Sequence, residues 1–215
     1  MVKFFRLFYN LDMKKILLTI LVLGLVSGIS TEAALPWKKE VQQEEVVDAT
    51  SQQAKVLYAQ NEIDEALKLL KSKGEDYRSA EDWLLIGNIL QDKDRIDEAV
   101  YMFQKSIDKN PKFYKAHYNL GYIYLIQDKP NMALAEFKQA VKYKDDFAYG
   151  YYNMGCAYLK LKEYRNARYN FFRAVDAKGD EPMFYYNLAY TYKMLNKEKD
   201  AQTYLDIYNK LMERI

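Results

Sequence analysis

Residues 117–124 read HYNLGYIY, and stepping 34 residues in either direction from this stretch meets its relatives: WLLIGNIL at 83–90, YYNMGCAY at 151–158 and YYNLAYTY at 185–192. Gly121 thereby aligns with Gly87, Gly155 and Ala189, and His117 with Trp83, Tyr151 and Tyr185. Leu120 aligns with Ile86, Met154 and Leu188, and Tyr124 with Leu90, Tyr158 and Tyr192. Further along each unit come Ala99, Ala133, Ala167 and Ala201, then Phe103, Phe137, Phe171 and Leu205, then Ser106, Ala140, Ala174 and Tyr208. Columns of matched size at one fixed period mark an internal repeat.

Within a unit, Trp83, Ile86, Gly87 and Leu90 fall at i, i+3, i+4 and i+7, which is one face of a helix. Ala99, Phe103 and Ser106 have the same spacing, so each unit predicts a helical hairpin. Small columns let neighbouring helix backbones approach closely and large columns fill the gaps between them. Pro111 closes the second helix of its unit, and Pro130 opens the next second helix after an Asp-Lys turn.

In these columns the chain resembles the tetratricopeptide-repeat family, whose pattern runs aromatic, Leu-Gly, Tyr, Ala, Phe, Ala and often Pro. The resemblance implies an all-α fold, a solenoid of antiparallel hairpins stacked in a right-handed superhelix. Four units match, over 80–113, 114–147, 148–181 and 182–215, with only the Pro column weak: Pro111 fits, whereas Asp145 and Gly179 depart from it. A degenerate fifth unit is expected over 47–79, because NEIDEAL around Ile63 echoes DRIDEAV around Ile96. Lys73 there replaces a small residue and Thr50 an aromatic, which reads as a solvated N-terminal cap, since end repeats are atypical. Tyr208 in a small column suits a final repeat, and Leu211, Met212 and Ile215 are expected to leave apolar surface at that end.

Half of the 215 residues are apolar and 29% charged, a globular profile. The net charge of +2 belongs to the first 33 residues, where Lys3, Arg6, Lys14 and Lys15 face Asp12 and Glu32, leaving 28 of each sign in the remainder. A neutral body without a basic block speaks against a nucleic-acid partner. The single cysteine, Cys156, allows no intramolecular disulfide, and the single histidine, His117, no multi-histidine metal site. His117 occupies a packing column, Cys156 reads as a small filler in the groove wall, and Asp145 and Asp146 sit in a loop. With no phosphate loop and no nucleophile system in the pattern, no catalytic residue, cofactor or metal is expected.

Residues 13–29 read MKKILLTILVLGLVSGI, followed by a small, polar stretch ending at Ala34. That is the order of a secretory signal peptide, assigned here to 1–33, with a polar linker over 34–46. The apolar run from Ile16 to Ile29 falls short of the roughly 20 residues that span a bilayer as a helix. Export to the periplasm or exterior is expected, and a retained membrane tether is the alternative. Met13 with its two lysines reads as a more natural start than Met1.

A second stripe runs beside the packing columns. Lys115, Tyr118, Asn119, Tyr122, Leu125 and Ile126 recur as Tyr149, Tyr152, Asn153, Cys156 and Leu159, and again as Met183, Tyr186, Asn187, Tyr190 and Met194. A helix apolar on so much of its circumference must bury both faces or present one to a partner. In the tetratricopeptide family these positions line the concave groove, so the resemblance implies a protein or peptide site made of Tyr118, Asn119, Tyr122, Tyr149, Tyr152, Asn153, Tyr186, Asn187 and Tyr190. Fifteen of the 21 tyrosines lie between Tyr114 and Tyr192. The family's chaperone-tail binders use a clamp of Lys, Asn and Arg. The matching positions hold Tyr118, Tyr122, Asn153, Met183 and Asn187, or one repeat earlier Leu84, Asn88, Asn119, Tyr149 and Asn153, without the cations. An adaptor or assembly factor of the cell envelope is the resulting expectation, with a tethered structural component of an envelope complex as the alternative.

Overall fold

Helices begin at Ala80, Tyr114, Ala148 and Pro182, each 34 residues after the last, and their partners begin at Ile96, Pro130, Tyr164 and Glu198 on the same period. In the computed structural model, residues 49–214 are described. The signal segment 1–33, the linker 34–46, the first two positions of the 47–79 unit and Ile215 lie outside the described residues. The helices are α1 (49–59 within the described residues), α2 (Ile63–Ser72), α3 (Ala80–Asp92), α4 (Ile96–Lys109), α5 (Tyr114–Ile126), α6 (Pro130–Tyr143), α7 (Ala148–Lys160), α8 (Tyr164–Ala177), α9 (Pro182–Met194) and α10 (Glu198–Met212). A 3-10 turn at Glu75–Tyr77 links α2 to α3, and the described residues contain no strand. Among them, no helix is long and apolar enough to cross a membrane.

Each first helix stops in the same way. Asn61, Asp94, Asp128, Lys162 and Asn196 adopt positive φ, and the following amide reaches back five residues, as in Arg95 N to Leu90 O at 2.8 Å and Lys129 N to Tyr124 O at 2.8 Å. This left-handed stop satisfies carbonyls that the helix end leaves open, and Asn and Asp tolerate the conformation best. Lys162 is the one of the five with neither advantage. Pro130 and Pro182 stand in the first turn of α6 and α9, where a missing N–H costs nothing.

Hairpins form by packing α3 on α4, α5 on α6, α7 on α8 and α9 on α10, and they stack through α4 on α5, α6 on α7 and α8 on α9. The closest approaches use the glycine column. A Cβ built on Gly121 would stand 2.8 Å from the Phe137 ring, and one on Gly155 2.5 Å from Phe171. Phe103, Phe137 and Phe171 are fully buried against those glycines, while the last repeat combines Ala189 with the smaller Leu205. Ser106 lies in the small column and donates to Ala80 O at 2.6 Å, which satisfies its buried hydroxyl.

The N-terminal hairpin departs from the expected solvated cap. Lys73 is buried, 8% exposed, and its ammonium donates to Ser51 Oγ at 2.8 Å and Asp82 Oδ2 at 2.5 Å. Asp82 also accepts Ser79 N at 2.8 Å, closing a capping box on α3. Arg78 lies over the Trp83 ring and donates to Leu70 O, Lys71 O and Lys73 O, carbonyls where α2 ends. A long cation fits a small-residue column here because a carboxylate at the start of the next helix meets it.

Candidate partner-binding groove

The first helices of successive hairpins touch one another, α5 against α7, and side-chain hydrogen bonds join them at each step. Asn119 Nδ2 donates to Asn88 Oδ1 at 2.6 Å, Asn153 Nδ2 to Tyr118 OH at 3.0 Å, and Asn187 Nδ2 to Tyr152 OH at 2.9 Å. The inner face of the stack therefore carries a ladder that ties each first helix to the one before it. Tyr118 and Tyr152 are half-buried members of it. Tyr118 packs edge-on against Phe147 at 4.9 Å, and Tyr152 stacks on Phe184 at 5.0 Å. Burial pushes both hydroxyls above the ordinary phenol range, although the Asn153 and Asn187 amides oppose that rise.

Four other tyrosines of the stripe open to solvent: Tyr122 and Tyr149 at 39%, Tyr186 at 45% and Tyr190 at 46%. Tyr122 borders a depression of about 280 Å³ with Tyr58, Asn88, Asp92 and Asn119. There Tyr58 donates to Asp92 at 2.6 Å, and its hydroxyl is pushed up to about 12, by burial first and then by that carboxylate. Tyr149 is held at the rim, with Lys178 donating to its hydroxyl at 2.9 Å and the hydroxyl donating to Glu181 at 3.1 Å. Tyr190, Tyr186, Lys193 and Leu205 surround a second depression of about 270 Å³, and Tyr186 rests on Tyr208 with ring centres 5.4 Å apart.

The nine residues read from the stripe thus separate into two kinds. Tyr122, Tyr149, Tyr186 and Tyr190 offer ring faces, while Tyr118, Tyr152, Asn119, Asn153 and Asn187 build the floor. Sequence reading missed the contributions of Tyr58, Phe147 and Phe184, and named Asn88 only at a position of the chaperone-tail clamp. Two of the three rungs had a signal of their own, a tyrosine followed 35 residues later by an asparagine, one more than the repeat period.

Cys156 lies beside Tyr152, and burial pushes its thiol up to about 11, so little thiolate forms at neutral pH. His117 lies between α5 and α6. Its Nδ1 meets Glu136 Oε2 at 2.7 Å and its Nε2 meets Pro111 O at 3.0 Å. Both oxygens can accept, so the pocket favours the cationic ring, in which both nitrogens donate. Burial alone would lower its pKa, but the bonds to Glu136 and Pro111 outweigh burial and raise it above 6.5. This contribution to stability is fully present below the unfolded pKa and is lost as pH rises through the folded one. The thermal midpoint is therefore expected to fall as pH rises from the unfolded value near 6.5 through the raised folded one, and His117→Gln should flatten that slope. Equal slopes in both proteins would remove His117 from the pH response.

A stack of helix hairpins on a 34-residue period with an inner face built from the first helices has the architecture of a tetratricopeptide-repeat solenoid. Residues 102–135 match one tetratricopeptide-repeat family model and residues 148–180 another. Among solved structures, residues 41 to the end of MamA from Desulfovibrio magneticus RS-1 superpose with a TM-score of 0.69 at 21% identity, covering 80% of this chain and 96% of that one. MamA MSR-1 gives a TM-score of 0.65 at 20% identity, covering 81% and 98%. A further MamA structure gives 0.69 at 18%, covering 79% and 93%. At this identity the likeness establishes the shared fold. No curated protein matches the chain.

Proposed function

We propose that the chain is an exported binding module that holds an extended segment of another protein along its inner face. The observation that supports this reading is the row of exposed Tyr122, Tyr149, Tyr186 and Tyr190 above a floor of asparagine carboxamides. Tyrosine combines a large apolar face with a polar tip, which suits a recognition surface. The ladder uses the Nδ2 donors of these carboxamides, and their Oδ1 atoms remain as acceptors for the N–H groups of an extended backbone. An adaptor or assembly role in the cell envelope follows if the N-terminal segment directs export.

Changing Tyr122, Tyr149 and Tyr190 to alanine is expected to weaken partner capture, by about 2 kcal/mol or more for each residue that is a hot spot. Stability should change by only about 0.5 kcal/mol at Tyr122 and at Tyr190, and by more at Tyr149, which packs on Phe184 and bonds Lys178 and Glu181. Tyr124, Tyr158 and Tyr192 in the packing column serve as controls. Tyr192 is 8% exposed and stacks on Tyr204 at 5.2 Å, so its loss should destabilise the stack. If both sets unfold the protein alike, the stripe is core and the groove reading fails.

Export has its own test. Expressed in a suitable bacterium, the full chain should lose about 28 to 34 residues, as the anatomy of signal peptides implies. Recovery of an intact N-terminus in the membrane fraction would favour the tethered alternative.

A further inference from the structure

The neutral composition hides an uneven distribution of charge. Residues 62–98 carry eleven acidic and six basic side chains, whereas residues 129–178 carry ten basic and five acidic ones. The first segment includes α2, α3 and the start of α4, and the second includes α6, α7 and α8. Opposite potentials on two parts of one molecule attract a second copy as readily as any other partner.

The outer helices give this asymmetry a defined geometry. Residues 97, 101 and 105 of α4 and residues 165, 169 and 173 of α8 occupy the same repeat positions, two periods apart. On α4 they are Asp97, Tyr101 and Lys105, and on α8 they are Arg165, Tyr169 and Arg173. Spacing of i, i+4 and i+8 aligns each trio on one helix face. The central tyrosines are the two most exposed large apolar side chains among the described residues, Tyr169 at 59% and Tyr101 at 56%. Asp97 and Arg165 are exposed, and neither forms an ion pair among the described residues. Arg173 is already oriented, donating to Tyr151 OH at 3.2 Å and lying 4.7 Å over that ring.

We propose that the N-terminal end of the α8 face, at Arg165 and Tyr169, docks on the N-terminal end of the α4 face, at Asp97 and Tyr101, of a second copy of this chain, with the two helices crossed there so that Arg173 and Lys105 diverge. Arginine and tyrosine are the side chains that most often anchor such contacts. The two faces are different surfaces of the molecule, so the contact is head-to-tail and leaves a free face of each kind at the ends of an assembly. Its attraction is between surface charges and so weakens as salt shortens their range.

The test is sedimentation of the full chain at about 0.05 M and about 1 M salt, where the screening length falls severalfold. Wild type should associate at low salt and dissociate at high salt. Asp97→Lys alone and Arg165→Glu alone should each weaken association about tenfold or more, because each places like charges across the contact. Mixing the two variants should restore it, since each then meets an opposite charge on the other. Tyr169→Ala should weaken association with the far-ultraviolet spectrum unchanged. A monomer at low salt, association indifferent to both reversals, or a mixture no stronger than its parts would each overturn the proposal. Binding of Arg165-dependent protein to anionic vesicles without self-association would also overturn it and make a lipid surface the occupant of α8.

Discussion

Asp82→Ala is expected to destabilise the N-terminal hairpin by up to about 3–5 kcal/mol, because it removes the carboxylate of a buried ion pair and weakens the charge balance around Lys73. Lys73 and Asp82 have side chains only 5% and 1% exposed, so water cannot replace the lost carboxylate without opening the packing between α1, α2 and α3. The same substitution removes the reciprocal half of the capping box, the bond from Ser79 N to the Asp82 carboxylate, while the backbone N–H of residue 82 still donates to Ser79 Oγ. Adding Lys73→Met should recover most of the loss and leave the cap's share, because an apolar side chain needs no partner there. In a repeat stack each hairpin depends mainly on its neighbours, so the damage should concentrate in α1 and α2. Hydrogen exchange resolved by segment would show this. Similar urea midpoints for the single variant and wild type would mean that water or another group reaches Lys73.

Acid should act on the same pair. Burial works to raise the Asp82 pKa, but the hydrogen bonds from Lys73, Ser51 and Ser79 outweigh it and hold the carboxyl below its ordinary value. A depressed folded pKa contributes stability above the unfolded value near 3.9, and that contribution disappears as pH falls through the folded value. Acid unfolding is thus expected to begin at this hairpin, whereas the His117 contribution fades on the alkaline side.

The second large effect lies in the glycine and phenylalanine columns. Phe171→Ala should cost about 3–5 kcal/mol, because the ring is fully buried and its neighbours cannot close the space. Gly155→Ala pits two effects against each other. Alanine gains about 1 kcal/mol of helix propensity over glycine. The added methyl, however, would stand 2.5, 2.7 and 2.8 Å from three atoms of the Phe171 ring. A fully buried ring has nowhere to retreat, so overpacking of about 1–3 kcal/mol should prevail. The last repeat indicates the remedy, since it already pairs Ala189 with Leu205. Gly155→Ala combined with Phe171→Leu should therefore cost less than the two changes added together, with a coupling of about 0.5–3 kcal/mol in a double-mutant cycle. Strict additivity would show that the two side chains do not share the space assigned to them.

Much of the fold was legible because its rules are local. The packing columns Gly121, Leu120 and Tyr124 lie within one helix, and the aspartates at 94 and 128 stop their helices through bonds that span five residues. A column pattern at a fixed period needs no knowledge of distant contacts, so the all-helical stack could be read from spacing and size alone. The groove stripe was legible only as a list of residues. Tyr118 and Tyr122 lie four positions apart and look equivalent in the sequence, yet one packs on Phe147 and accepts from Asn153 while the other is 39% exposed.

By itself, then, the sequence determined the helical hairpins, their period and the class of fold, because side-chain size and spacing along a helix decide which faces are buried. Only the tertiary structure decided which tyrosine tips are free and which are tied into the asparagine ladder, since those bonds join residues 35 apart on different helices. It likewise decided that Lys73 is a buried ion-pair member, because burial of a charge depends on whether a carboxylate stands opposite, and Asp82 comes from the next helix. The opposed faces of α4 and α8 follow the same logic. Their residues are plain in the sequence, but the exposure of Tyr101 and Tyr169 is set only once the helices are stacked.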